Sequence, residues 1–285
     1  LFNELQNIDT RPLSELQILD KKIGFFFGNK VNEFIEDFKL NKDDICAIAS
    51  HGQTILHQPQ NGFTLQIGCG STIAYQTGIE VINDFRTLDV IAGGQGAPLV
   101  PVGDFDLFES KADSFLNIGG FCNISFKNKD VITAFDICPG NLPLNRFAGV
   151  LGFEYDHDGD LAKSGKVLSD LLSHLNSIEY YHKSFPKSLG VEWLNSIFYP
   201  KITSEESPEN LLHTLSLHIA EQIINCLHQF ELKSVYITGG GAKNTYLIDL
   251  IRRDYHGKVI IPDTTTIDFK EAIVFAYLGF KYLLN

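Results

Sequence analysis

The sequence predicts a mixed α/β protein with two lobes. Segments with the apolar spacing of helices alternate with short, strand-like apolar runs along the 285-residue chain. One antiparallel meander interrupts this alternation, because three strand-like runs follow one another from Ser114 with only short turns between them. This change of pattern, in a sequence without a short-period repeat, places the boundary between the lobes near 105–113.

The first lobe is predicted to contain one long helix and several short strands. Ser14 and Gln17 have the spacing of a capping box that starts the helix, and a helical apolar pattern continues it to Phe38. The elements predicted here are a helix at 14–38, a strand at 45–50, a strand at 63–67, a helix end at 74–78, a strand at 80–85 and a loop rich in Gly and Pro at 91–101.

The second lobe is predicted to be built on the meander and on one further buried strand. That strand is rich in β-branched and aromatic residues and runs directly into three glycines. The elements predicted here are strands at 114–120, 121–126, 131–137, 234–241 and 258–261, and helices after 139–141 and at 161–175, 209–230, 244–253 and 270–284.

The composition excludes several classes of function. The net charge is -12 and the pI is near 5.1, whereas binding to nucleic acids or anionic membranes needs a positive field. No apolar run approaches the roughly 18 residues of a membrane span. The five cysteines are scattered and form no CxxC pair, which indicates a reduced cytosolic chain without a disulfide framework or a zinc ribbon.

Two glycine turns follow predicted strands and are candidate phosphate or nucleotide sites. At Gly119 and Gly120, glycine permits positive φ and close approach of a ligand to backbone N–H groups, although a plain hairpin turn is the alternative. At Gly239, Gly240 and Gly241, a strand, a glycine turn and a helix start follow one another, as in anion sites. The sequence GGGAKN is neither GxGxxG nor a Walker A loop. Three successive glycines exceed what a strand-to-helix turn needs, so we favour binding there.

Asp136 is a candidate catalytic residue. It is predicted to lie at the end of a strand, directly before a Pro-Gly-Asn turn. A carboxylate in that position can serve as a general base for water or a hydroxyl group. An Asx turn or a helix N-cap explains the same residue equally well.

Polar residues also gather after the strands of the first lobe. They include His51, Gln53, Thr54, Asp84, Arg86 and Asp89. Such a group suits the recognition of a sugar, which needs several directional hydrogen bonds, although polar loop residues are the alternative interpretation. His51 and His57 are six residues apart, which does not fit a helical pair of zinc ligands.

Two further polar segments are interpreted as loops. The sequence DHDGD at 156–160 fails the EF-hand pattern, because its glycine is misplaced and a Val would stand at the twelfth position. The sequence FPKSLG at 185–190 offers one Lys and one Ser; it is either a surface loop, which we favour, or a ligand contact.

Taken together, these motifs resemble those of the anhydro-N-acetylmuramic acid kinases over nearly the whole chain. The motifs that carry the resemblance, in order, are HGQT at 51–54, TLQIG at 64–68, DFRTLD at 84–89, AGGQGAPLVP at 92–101, LNIGGFCNIS at 116–125, FDICPGN at 135–141, YDHDG at 155–159, PKSLG at 186–190, TGGGAKN at 238–244 and KEAIVFAYLG at 270–279. The glycine turns alone would indicate only the wider superfamily of sugar kinases, Hsp70 and actin.

The resemblance implies a two-lobed actin-like ATPase fold with RNase H-like sheets and an interlobe cleft. It implies residues 1–108 as the remainder of a sugar-side lobe, with 270–285 packing back on it, and 109–269 as the nucleotide-side lobe. It also implies a bacterial, cytoplasmic kinase of cell-wall recycling that uses ATP and Mg²⁺. In the implied reaction, water opens the 1,6-anhydro ring and O6 is phosphorylated, which gives N-acetylmuramic acid 6-phosphate.

The resemblance assigns roles to individual residues. Asp136 corresponds to the catalytic base. The residues implied to bind the nucleotide are Gly119, Gly120, Gly239, Gly240, Gly241 and Asn244. The residues implied to bind the sugar are His51, Gly52, Gln53, Thr54, Arg86 and Glu271. No residue is implied as a direct metal ligand.

One family feature has no counterpart in residues 1–50, namely the first phosphate loop. The resemblance therefore predicts an upstream segment on the order of 60 residues and a short C-terminal tail, and we expect the sequence as given to be inactive because phosphoryl transfer depends on positioning. The alternatives are a catalytically silent sugar- or nucleotide-binding relative and a kinase for another sugar. We expect an amino sugar and ATP as ligands, and neither nucleic acid nor a membrane as a partner; a homodimer is compatible with the sequence.

Overall fold

Helices and strands alternate along the chain in the computed structural model, which confirms the predicted α/β class. The structure describes Leu5, Ile8, residues 11–202 and residues 205–284. The elements up to residue 108 are α1 (Leu13–Asp37), β1 (Ile48–Ser50), β2 (Gln53–Gln58), β3 (Phe63–Ile67), α2 (Gly70–Thr77), β4 (Val81–Asn83), α3 (Thr87–Ile91) and α4 (Val100–Phe108).

The remaining elements begin with the predicted meander. They are β5 (Ser114–Ile118), β6 (Phe121–Asn128), β7 (Val131–Pro139), α5 (Asn141–Val150), α6 (Asp160–Ser164), α7 (Ser169–Asn176), α8 (Val191–Trp193), α9 (Pro208–Gln229), β8 (Ser234–Thr238), α10 (Thr245–Asp254), β9 (Lys258–Ile260) and α11 (Thr264–Leu284). Within the described residues, no helix combines the length and the apolar character that a membrane span requires.

The chain divides into two units. One comprises Leu1–Gly103 with Glu271–Asn285, and the other comprises Asp104–Lys270. The assignment of these units to a sugar side and a nucleotide side stays a prediction.

The first unit contains two small sheets. β1 and β4 pair in parallel, and β2 and β3 form an antiparallel hairpin. Helix α1 packs on α2 at two glycines: a Cβ added at Gly24 would lie 2.9 Å from the Cys69 carbonyl oxygen, and one added at Gly28 would lie 3.0 Å from Gln76. These glycines, which weaken the helix intrinsically, are therefore the points where the two helices approach each other.

The second unit contains one five-stranded sheet in the order β7-β6-β5-β8-β9. The pairs β5–β6 and β6–β7 are antiparallel, whereas β5–β8 and β8–β9 are parallel. An antiparallel meander continued by two parallel strands beside its first strand is the RNase H-like arrangement on which actin-like ATPases are built. Helix α9 packs on this sheet, and it contributes more than half of its residues to the buried interior.

Several local predictions are wrong. The capping box at Ser14 does not form, because α1 begins at Leu13 behind Pro12, whose fixed φ already suits the start of the helix and whose side chain makes no capping hydrogen bond. The predicted helix at 161–175 is two helices, α6 and α7, which are separated at Gly165. A side chain at Gly165 would collide with the Glu209 carbonyl oxygen, so the chain turns there to let α9 pass.

Other elements were missed or differ in length. The loop predicted at 91–101 gives way to α4 at Val100, with Pro101 in its first turn, where a missing N–H costs nothing. Strand β2 was not predicted, because its polar residues Gln53, Thr54 and His57 hide the alternating pattern of a half-buried strand. Helix α3 was also missed, and α11 begins six residues earlier than predicted, at Thr264.

Candidate active site

The two glycine turns of the second unit lie side by side at the same end of its sheet, after the neighbouring strands β5 and β8. β5 and β8 are parallel neighbours in register, with Asn117 opposite Thr238, so the turns that follow them leave the sheet together. Gly239 has φ +83°, and a Cβ there would lie 2.6 Å from Asn117 Oδ1 and 2.7 Å from the Ile118 carbonyl oxygen. A side chain at Gly241 would collide with the Ile118 side chain. These glycines are thus required for the turns to pack against each other.

The turn at Gly119 and Gly120 is held against the start of α5. The Gly119 and Gly120 carbonyl oxygens accept hydrogen bonds from the N–H groups of Asn141 and Gly140, each at 2.8 Å. The Gly119 N–H donates to the Phe121 carbonyl at 3.1 Å, so it is engaged within the turn rather than open to a phosphate. Neither glycine has a positive φ, contrary to expectation. Gly120 instead needs space, because a Cβ there would lie 3.1 Å from Leu142 Cγ.

Gly240 is the open position of the second turn. It is exposed, and the nearest atom to an added Cβ would be Asn141 Nδ2 at 3.6 Å, an ordinary contact. Asn244, in contrast, has a structural role. It is buried, and its Oδ1 caps α10 by accepting the Leu247 N–H at 3.0 Å. The backbone around Gly120 and Gly240 is therefore the accessible part of this end of the sheet.

Asp136 lies inside β7 rather than at its end. It pairs with Asn123 of β6, three residues before the strand ends at Pro139. The Leu189 N–H donates to Asp136 Oδ2 at 2.8 Å. Burial raises the pKa of the Asp136 carboxyl, and the Leu189 hydrogen bond opposes that rise. Asp136 does not cap α5, which begins after Gly140 without a side-chain cap, so the N-cap interpretation of this residue is wrong.

A histidine–arginine pair stands at the centre of the polar group in the first unit. Arg86 Nε donates to His51 Nε2 at 2.8 Å, and Arg86 Nη1 donates to the Gly96 carbonyl at 2.7 Å. Because Nε2 accepts, the His51 proton resides on Nδ1, which donates to the Gly52 carbonyl at 3.0 Å. The His51 ring also lies against Phe275, with centroids 4.5 Å apart. Phe275 was missed as a site residue, because it is indistinguishable from the other apolar residues of α11.

The charges around this pair favour a neutral imidazole. Burial, and then the Arg86 cation, lower the pKa of His51, while the Gly52 carbonyl and Glu271 act in the opposite direction. Burial also lowers the pKa of Arg86, and the Glu271 carboxylate opposes this shift. His51, Arg86 and Glu271 thus form one electrostatic group, in which Glu271 balances the guanidinium charge.

The other predicted sugar-site residues lie on β2 or next to it. Gly52 has φ +75°, and a Cβ there would lie 2.7 Å from the Ile67 carbonyl oxygen. Thr54 Oγ1 accepts a hydrogen bond from Gln66, and the exposed Gln53 side chain donates to the Thr54 carbonyl. A cavity of about 170 Å³ opens beside His51 and Gly52. It is lined by Ser50, His51, Gly52, Thr64, Leu65, Gln66, Ile67, Gly68, Asn83, Asp84 and Thr87.

Comparison with known proteins gives the family. A family model described as anhydro-N-acetylmuramic acid kinase matches residues 2–285. The chain belongs to this family. It is 39% identical over 295 residues to the anhydro-N-acetylmuramic acid kinase of Francisella tularensis subsp. novicida, covering 96% of this chain and 77% of that protein. It is 36% identical over 281 residues to the one from Legionella pneumophila strain Lens, covering 94% of this chain and 76% of that protein.

Membership of the anhydro-N-acetylmuramic acid kinase family confirms the predicted enzyme class, an ATP-dependent sugar kinase of cell-wall recycling. A solved structure, component A of the (R)-2-hydroxyglutaryl-CoA dehydratase of Acidaminococcus fermentans, aligns at 12% identity over 90% of this chain and 83% of that chain, with a TM-score of 0.49. The sheet order of the second unit, rather than this likeness, identifies its RNase H-like fold.

The family motifs therefore occupy defined places in the two units. HGQT spans the start of β2, and KEAIVFAYLG lies in α11, which supplies Glu271 and Phe275 to the first unit. The motifs LNIGGFCNIS, FDICPGN and TGGGAKN all lie in the second unit, on adjacent strands β7, β6, β5 and β8. LNIGGFCNIS, FDICPGN and TGGGAKN thus lie on β-strands and the turns next to them, whereas KEAIVFAYLG is helical.

The neutral His51 ring predicts a loss of stability at acidic pH. The unfolded chain takes up a proton near the ordinary histidine pKa of about 6.5, whereas the folded protein does so only at lower pH. The free energy of unfolding is therefore expected to fall as the pH drops below about 6.5. A His51→Gln variant keeps an acceptor for Arg86 but cannot titrate. Urea unfolding at pH 7.5 and 5.5 should show a smaller loss for that variant than for the parent, and equal losses would contradict the assignment.

Proposed function

We propose that this chain catalyses the phosphorylation of anhydro-N-acetylmuramic acid by ATP, with opening of the anhydro ring by water. This proposal is carried by one observation: the two glycine turns lie next to each other at the same end of the sheet, beside the start of α5. Exposed backbone at Gly120 and Gly240 lets phosphate oxygens approach N–H groups without any cation, which suits an acidic chain.

In the proposed reaction, Asp136 acts as general base. Water adds to C1 while the bond between C1 and the bridging O6 breaks. O6 then attacks the γ-phosphorus of ATP and takes the γ-phosphoryl group, and ADP is the leaving group. The Asp136 carboxylate accepts the proton that the attacking water loses. The product is N-acetylmuramic acid 6-phosphate. A half-buried carboxylate whose pKa is raised by burial is a stronger base than an exposed one, which supports this role.

We assign the sugar to the first unit. Its polar group offers donors at Arg86, Gln53 and Thr54, and Glu271 offers an acceptor; a sugar with several hydroxyl groups needs this mixture. Gly52 fixes the start of β2 and thereby the position of His51. The lactyl carboxylate of the amino sugar is an anion, and the Arg86 guanidinium is the cation of this polar group that would pair with it.

Magnesium is proposed to arrive with ATP rather than to occupy a site formed by the protein alone. The described residues contain no group of three His, Cys, Asp or Glu side chains that could hold a metal ion. In ATP-using enzymes Mg²⁺ keeps several water ligands and binds the phosphates together with one or two carboxylates, so such a group is not needed. Bound Mg²⁺ neutralises charge on the transferred phosphoryl group.

The use of ATP also indicates the cellular compartment in which the protein acts. We propose the bacterial cytoplasm, where ATP is made. The relatives reported above are bacterial, and all five cysteines are free thiols, which suits a reducing compartment.

The nucleotide assignment predicts that Gly240→Val weakens ATP binding. An added Cβ would meet Asn141 Nδ2 at an ordinary 3.6 Å, so we expect the protein to accommodate the side chain and the crowding to fall on the ligand. A steric cost of about 1–3 kcal/mol corresponds to a loss of affinity of roughly 5- to 150-fold. Isothermal titration of ATP into the full-length protein measures the change.

Gly149→Val is the matched control for this experiment. Gly149 lies in α5 and is exposed, and apart from its chain neighbours and its own helix backbone no described atom lies within 4 Å of an added Cβ. We expect its ATP affinity to equal that of the parent. Equal affinities of the Gly240→Val variant and the parent, with both proteins folded by circular dichroism, would reject the nucleotide site.

A further inference from the structure

The outer edge of β7 is covered at Asp136 by residues 177–190, the segment between α7 and α8. Among the described residues, β7 is the last strand of the sheet on its side, and no strand pairs with the outer side of its backbone. The Asp136 N–H donates to the Lys187 carbonyl at 3.3 Å, and the Tyr180 hydroxyl donates to the Asp136 carbonyl at 2.7 Å. The Leu189 N–H then reaches Asp136 Oδ2 at 2.8 Å. Main chain and side chain of Asp136 are thus held by the same segment.

Two side chains fix residues 185–190, hereafter the 185–190 loop, against the sheet. The Phe185 ring stacks parallel on Phe135, with centroids 5.6 Å apart and planes 3° apart. Lys187 Nζ lies 4.8 Å from the centroid of the Tyr180 ring and 5.6 Å from that of Phe135, and it donates to the Tyr180 carbonyl at 3.3 Å. The loop therefore packs on Phe135, the residue before Asp136, and on Tyr180, whose hydroxyl donates to the Asp136 carbonyl group.

We propose that the main-chain N–H of Leu189 is a positioning group for Asp136, which makes the 185–190 loop part of the catalytic apparatus. The inference rests on the proposed role of Asp136 as base. The hydrogen bond occupies Oδ2 and fixes the plane of the carboxylate, so the other oxygen is left to face the attacking water. A hydrogen bond to a charged acceptor is also about twice as strong as one between neutral groups, so it favours the ionised form that a base requires.

The surroundings of Asp136 make the Leu189 N–H important for keeping the carboxylate ionised. Asn123 of β6 carries no charge, and the Cys138 thiol of β7 stays neutral because burial raises its pKa. Burial likewise raises the pKa of Tyr180, so its hydroxyl is neutral as well. The Lys187 ammonium faces the rings of Tyr180 and Phe135. The Leu189 N–H is therefore the group in this set that directly counters the effect of burial on the carboxylate.

The inference is tested by the pH dependence of kcat/KM for Leu189→Pro in the full-length enzyme. Proline removes the N–H and nothing polar besides. The acid limb of the profile is expected to move up by about one to two pH units, the shift that corresponds to one charged hydrogen bond. The KM for ATP should stay as in the parent. Leu189→Ala retains the N–H, and its acid limb should coincide with that of the parent.

A second variant covers the case in which proline prevents folding. Incorporation of the α-hydroxy acid analogue of leucine at position 189 replaces the N–H by an ester oxygen and keeps the side chain. The same upward shift is expected, and an acid limb that coincides with the parent's in the folded variant overturns the inference. Asp136→Asn, assayed in parallel, separates the two hypotheses. If it retains activity, the proposed base is wrong; if it loses activity while position 189 has no effect, only the positioning role is wrong.

Discussion

Replacement of Asp136 by Asn in the full-length enzyme is expected to lower kcat by about 10²- to 10⁴-fold, the usual contribution of a general base. The amide has nearly the shape of the carboxylate, and its oxygen can still accept the Leu189 N–H, so the 185–190 loop stays in place. What is lost is the ability to take a proton from water. Steady-state kinetics with ATP and the anhydro sugar measure the change.

ATP affinity serves as the control for this prediction. Asp136 lies within β7, whereas the glycine turns follow β5 and β8, so the Kd for ATP should stay close to the parent value. Turnover within a few-fold of the parent would contradict the assignment and transfer the role to Asp84, Asp89 or Glu271. Of these, Asp89 already holds a loop, because its Oδ2 accepts the Gly96 N–H at 2.6 Å. Asp84 Oδ1 likewise accepts the Thr87 N–H at 3.3 Å.

The features that the sequence predicted well are those with a local signal. The meander and the strand before Gly239 carry β-branched and aromatic residues bounded by turns, and the glycines mark close approach of neighbouring backbones. Three strands followed by a separate strand and glycine turn were enough to indicate the sheet of the second unit. Three of the family motifs, LNIGGFCNIS, FDICPGN and TGGGAKN, lie on these same strands and the turns next to them.

The features that the sequence did not predict depend on contacts between distant residues. Leu189 and Asp136 are 53 positions apart, and nothing in the sequence FPKSLG signals a hydrogen bond to a carboxylate. The break at Gly165 follows from the passage of α9, and the partner of His51 at Phe275 comes from the other end of the chain. Such contacts are set by packing, which local propensity does not describe.

A buried ion pair beside the β8 turn was also invisible in the sequence. Lys270 Nζ lies 2.7 Å from Asp104 Oδ1, and the two side chains are 6% and 4% exposed. Lys270 Nζ also donates to Thr238 Oγ1 at 3.1 Å, and Ser125 Oγ donates to Asp104 Oδ2 at 3.3 Å. Burial has removed both charges from water, and they are satisfied by each other, by two hydroxyl groups and, for Lys270, by the face of the Phe115 ring 6.0 Å away.

Lys270→Met is therefore expected to lower the free energy of unfolding by about 3–5 kcal/mol, the cost of leaving a buried charge uncompensated. Methionine fills much of the same volume, so the loss comes from the unpaired Asp104 carboxylate and not from a cavity. Burial already raises the pKa of Asp104, and Lys270 opposes that rise, so the variant should raise it further. Urea unfolding at pH 7 measures the loss.

The pH dependence of this loss distinguishes a buried charge from a general packing defect. With the folded-state pKa of Asp104 raised above the unfolded value of about 3.9, the variant loses stability as the pH rises through that range and regains it as the carboxyl group becomes protonated. The penalty should thus be largest at neutral pH and shrink toward pH 4. The double variant Asp104→Leu, Lys270→Met removes both charges, and we expect it to be more stable at pH 7 than Lys270→Met alone. A penalty that is constant from pH 4 to pH 7 and persists in the double variant would show that Lys270 stabilises the sheet through its packing rather than its charge.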